Sequence, residues 1–74
     1  MNIQNISKTD KKVVVELNSD DLVNICNSLY ATYDRDKKKP RFLQLYSDLM
    51  MARDLCQYGH LDDFSLQSIV KCRN

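Results

Sequence analysis

The chain has one proline and one glycine, Pro40 and Gly59, among its 74 residues. These are the strongest local punctuators of regular structure, so their scarcity limits how often the chain can turn without some other device. The stretch between them reads as one helix over residues 40–58. Pro40 suits a first helical turn, where its missing N–H is no loss, and Gly59 falls where a left-handed C-cap belongs. Phe42, Leu45, Tyr46, Leu49, Met50, Arg53 and Cys56 follow one side of this helix, while Leu43, Met51 and Leu55 widen its apolar surface. A helix this apolar needs two neighbours, or one neighbour and a partner chain.

The acidic residues supply the missing punctuation. Nine of the ten are aspartate, and only Glu16 is glutamate. Aspartate favours caps and turns, because its short side chain accepts from nearby backbone N–H groups. In residues 18–33, Leu22, Val23, Ile25, Cys26, Leu29, Tyr30 and Tyr33 recur at helical spacing. Asn18 is placed as its N-cap and Asp21 at the third helical position, with Leu17 and Leu22 at the spacing of a hydrophobic staple. Asp62 is a second N-cap, between Leu61 and Leu66, for a short helix over 62–72 carrying Phe64, Leu66, Ile69, Val70 and Cys72. The charged run at 34–39 reads as a linker.

Residues 1–17 change period. Val13, Val15 and Leu17 share one face of an extended segment and Val14 and Glu16 the other, the pattern of a strand. A lone strand leaves its backbone unpaired. One solution is a hairpin with residues 2–7 through a turn at "KTDK"; the other pairs the strand with its copy in a second subunit. In a plain period of two, Ile3 and Ile6 fall on opposite faces, which weakens the hairpin signal.

The expected fold is therefore α+β: one domain over 1–74, with an N-terminal strand or hairpin followed by three helices. A chain this short buries only a little over half of its unfolded surface, so an assembly, with a dimer favoured, would supply burial. The composition, 43% hydrophobic and 28% charged, is globular, and a formal net charge of +1 gives no global field toward nucleic acid or an anionic membrane. No stretch approaches the roughly 20 apolar residues of a membrane span, and a cytoplasmic protein is expected.

"LCQYGHLDDF", residues 55–64, gathers a thiol, a phenol, an imidazole and two carboxylates. Cys56 and His60, with Cys26 and Cys72, have the residue types of a Cys3His zinc site, but a structural zinc site usually takes its ligands as close pairs, and a second pair is missing. His60 with Asp62 or Asp63, or Cys56 as nucleophile, would need a cleft that a chain this small barely encloses. With one glycine, a glycine-rich phosphate loop is excluded. The segment reads as the joint between two helices, and no enzyme, catalytic residue, metal or cofactor is expected.

Lys37, Lys38, Lys39 and Arg41 form the feature that suggests an anionic partner, nucleic acid or nucleotide, with Lys71 and Arg73 as further candidates. The favoured expectation is a non-enzymatic interaction module that self-associates and binds or modulates another protein through Tyr46, Met50 and Arg53. The Lys, Asn and Asp usage is compatible with an AT-rich bacterial or phage gene, and an encoded inhibitor fits such a module.

Overall fold

The structure is a computed structural model and describes residues 1–73, the side chain of Arg73 excepted. An antiparallel hairpin, β1 (Asn2–Ser7) and β2 (Lys12–Glu16), precedes three helices: α1 (Ser19–Asp36), α2 (Pro40–Tyr58) and α3 (Asp63–Arg73). The fold is the small α+β domain expected, with the hairpin formed within the chain.

The hairpin resolves the parity of Ile3 and Ile6 by a bulge. Ile3 pairs with Val15, Asn5 with Val14 and Ile6 with Val13, so Gln4 is the extra residue. Partners directly opposite share a face. Ile3, Ile6, Val13 and Val15 therefore lie together on one side, and Asn2, Asn5, Ser7, Lys12, Val14 and Glu16 on the other. Gln4 donates to Glu16 at 3.2 Å on the polar side. The turn closes with Lys11 at φ 56 and with the Ser7 hydroxyl accepting from the Asp10 N–H at 3.2 Å.

Helix ends follow local chemistry. The Asn18 side chain accepts from Asp21 N–H at 2.8 Å and the Asp21 carboxylate from Asn18 N–H at 3.3 Å, a reciprocal capping box. Helix α1 runs to Asp36, three residues past its expected end at 33, so the linker shrinks to residues 37–39. Charged residues do not stop a helix; Pro40 does, by holding Lys39 extended at φ −95 and ψ 112. Gly59 takes the left-handed cap at φ 77, and its N–H donates to the Leu55 carbonyl at 3.1 Å. Asp62 accepts from Phe64 N–H at 3.1 Å and starts α3.

Helix α2 is central, with α1 against one side and α3 against another, and among the described residues the backbones of α1 and α3 do not approach each other closely. Tyr46, Met50 and Ile69 form the core, with Leu29, Tyr33, Phe42, Met51 and Cys72 packed around them. The aromatic rings of Tyr33 and Phe42 lie 5.8 and 5.9 Å from that of Tyr46. Among the described residues, neither strand packs on a helix. The hairpin projects instead, and the radius of gyration of 13.2 Å exceeds the roughly 11 Å of a compact chain this long.

Candidate interaction surface

The residues singled out on α2 occupy different places. Tyr46 and Met50, expected as contact residues, pack in the core of the single chain at 6% and 2% exposure. Periodicity marks both faces of α2 as apolar, and the face carrying these two is the one that α1 and α3 cover. Arg53 is half-buried and committed inside the chain. Its guanidinium donates to Asp54 at 2.9 and 3.0 Å and to the Ser65 hydroxyl at 2.9 Å.

Asp54 and Ser65 are fully buried polar residues that the apolar periodicity does not point to. The second Asp54 oxygen accepts from the Asp62 backbone N–H at 3.1 Å, so one carboxylate holds both the side chain beside it and the start of α3. Burial alone would raise the Asp54 pKa. Hydrogen bonds from Ser65, the Asp62 N–H and Arg53 outweigh that and hold the carboxyl below its ordinary 3.8. Sequence spacing carries no signal of this cluster, because its bonds form only once α3 returns against α2.

The thiols and His60 do not assemble. Cys26 is buried, Cys72 half-buried and Cys56 exposed. Burial pushes the Cys26 and Cys72 thiols above their ordinary value. His60 lies on the exposed turn, with Nδ1 3.3 Å from the Leu61 carbonyl oxygen. Among the described residues, no three His, Cys, Asp or Glu side chains converge as metal ligands would.

Lys37, Lys38, Lys39 and Arg41 are all exposed around the start of α2. Lys39 is paired, its ammonium 3.0 Å from Asp36, and this bond holds the Asp36 carboxyl below its ordinary pKa. The N-terminus of α2 has no side-chain cap and no acidic residue in its first turn. Lys71 lines a separate groove, and the Arg73 side chain lies outside the described residues.

That groove is lined by residues of α1, α2 and α3. Because the backbones of α1 and α3 stay apart on either side of α2, the seam between them stays open over Tyr33 and Tyr46, as a cleft of ≈ 170 Å³. It continues into a second cleft of ≈ 200 Å³ that reaches Cys26, Met50 and Arg53. Tyr30 and Phe64 line both, at 63% and 64% exposure, and form the lips. Leu45, Leu55 and Tyr58 of α2 and Leu66 and Val70 of α3 are also exposed.

The total accessible surface is 5839 Å² for a chain of 8.7 kDa. A compact monomer of this mass exposes about 4,700 Å², so roughly 1,100 Å² is in excess. Standard interfaces cover about 800 Å² on each partner, which is the scale of that excess. No helix among the described residues is long and apolar enough to cross a membrane. Compared with protein-family models, curated proteins and solved structures, the chain matches none of them.

Proposed function

We propose that the protein is a non-enzymatic interaction module that self-associates and binds or modulates another protein. The excess accessible surface supports this reading, together with the large apolar side chains left exposed on the helices, Tyr30, Leu45, Leu55, Tyr58, Phe64, Leu66 and Val70. The contact to a protein partner falls on the α1/α3 groove, with Tyr30 and Phe64 as the anchors. Both are aromatic, exposed and set beside a preformed cleft, the features of residues that dominate binding energy. Regulation by inhibition in a bacterial or phage setting, in the cytoplasm, suits a module of this size.

The test is affinity capture with the wild-type chain and the Tyr30→Ala/Phe64→Ala variant in parallel. A protein retained by the wild type and lost with the variant supports the reading. Retention of no protein above background, or retention indifferent to the two substitutions, contradicts it.

A second reading has an observation in its favour. The uncapped N-terminus of α2, with its free backbone N–H groups, sits among Lys37, Lys38, Lys39 and Arg41, and so attracts phosphate. Binding of a nucleic acid or nucleotide there should weaken steeply with salt, and replacement of the four basic residues by alanine should abolish it. Binding that survives the replacement removes this alternative.

A further inference from the structure

A two-stranded hairpin whose strands pack on no helix is marginal in water; three or more strands with an apolar face, or a helix against that face, are needed for independent stability. The Met1 ammonium, 2.7 Å from the Asp21 carboxylate, ties the start of the hairpin to α1 without covering either face. Among the described residues the strands pair only with each other, and Ile3, Ile6, Val13 and Val15 stand on one exposed face. The missing strands have to come from outside the chain.

The two edges of the hairpin are not equivalent. The outer edge of β1 is interrupted by the bulge at Gln4, a device that blunts an edge against further pairing. The outer edge of β2 is regular over Lys12–Glu16, and its sequence, KVVVE, is complementary to itself when reversed. Antiparallel pairing about Val14 sets Lys12 opposite Glu16 of a second copy, Val13 opposite Val15, and Glu16 opposite Lys12. Parity is kept, so the Val13 and Val15 side chains of both copies fall on the same face.

We infer that this β2 edge binds the β2 edge of a second copy of the chain, forming a two-fold, four-stranded antiparallel sheet of order β1-β2-β2-β1. The interface then carries two charge-complementary pairs and two Val13–Val15 pairs across the strands, an isologous contact that closes at two subunits. The sheet reaches the strand number at which an amphipathic sheet stands alone, with Ile3, Ile6, Val13 and Val15 of both copies on one side. The inference rests on the self-association proposed above and specifies its geometry.

Charge exchange tests it without touching any buried residue. Lys12→Glu sets two Glu–Glu pairs across the two-fold axis, and Glu16→Lys sets two Lys–Lys pairs. Each single variant should raise the dimer dissociation constant by about tenfold or more in sedimentation velocity at low salt. An equimolar mixture of the two variants should recover the affinity, because positions 12 and 16, both acidic in one variant, then face positions 16 and 12, both basic in the other. Loss of the Gln4–Glu16 hydrogen bond in one variant cannot produce that recovery. If the wild type dimerises but the single variants dimerise equally well, or the mixture recovers nothing, the β2 edge is not the interface. A wild type that stays monomeric over the same concentrations overturns both this geometry and the self-association on which it rests.

Discussion

The Arg53 guanidinium donates to the Ser65 hydroxyl at 2.9 Å across the turn between α2 and α3, and the same Nη2 lies 2.9 Å from Asp54. Gly59 makes the turn and Asp62 starts the next helix, but Arg53, Asp54 and Ser65, with the Asp62 N–H on Asp54, set the angle at which α3 returns. That angle places Ile69 on Met50 and leaves Phe64 at the lip of the groove.

Asp54→Asn should destabilise the protein by about 2–3 kcal/mol in chemical denaturation, since it leaves a half-buried guanidinium without its carboxylate. Ser65→Ala should cost about 1–2 kcal/mol by leaving buried partners short of one hydrogen bond. A change under about 0.5 kcal/mol in both would mean that the cluster does not set the fold.

The cluster also predicts acid sensitivity. The Asp54 pKa is lowered in the folded state, so the unfolded chain takes up its proton first as the pH falls. The carboxylate's contribution is complete above the unfolded value near 3.8 and is lost as the pH drops through the lower folded value. Melting temperature should decline between about pH 5 and pH 2, and Asp54→Asn should flatten part of that decline. Equal slopes for both proteins would contradict the assignment.

Gly59→Ala should cost about 1–2 kcal/mol, because φ is 77 and a Cβ there favours the right-handed region. No atom lies within 4 Å of the added Cβ, so the loss is conformational, and Gly59→Asn should recover part of it. Thermal unfolding of the two variants separates these outcomes.

Helix caps are legible in the sequence because they are local. Asn18 with Asp21, Gly59, and Asp62 each satisfy backbone groups within a few residues, and sequence spacing alone displays them. The Asp54–Ser65 cluster depends on a contact between two helices, which no period reveals. Tyr46 and Met50 read as surface residues for a related reason: α2 is apolar on more than one side, and only packing decides that Tyr46 is covered while Leu45 is not. The bulge at Gln4 breaks a strict period of two, so the common face of Ile3 and Ile6 stays hidden until the register is known.

Packing and contact residues should separate experimentally. Met50→Ala should lower stability by about 2–5 kcal/mol through the cavity it leaves. Tyr30→Ala and Phe64→Ala, at exposed positions, should each change it by less than about 0.5 kcal/mol while weakening partner capture. Capture lost only in proportion to stability would place the contact elsewhere.

Native mass spectrometry of the wild-type protein over a dilution series tests the account most directly. The exposed hairpin face and the excess surface predict a species at twice the 8.7 kDa chain mass, giving way to single chains on dilution. Single chains throughout, at concentrations reaching the upper micromolar range, would contradict it.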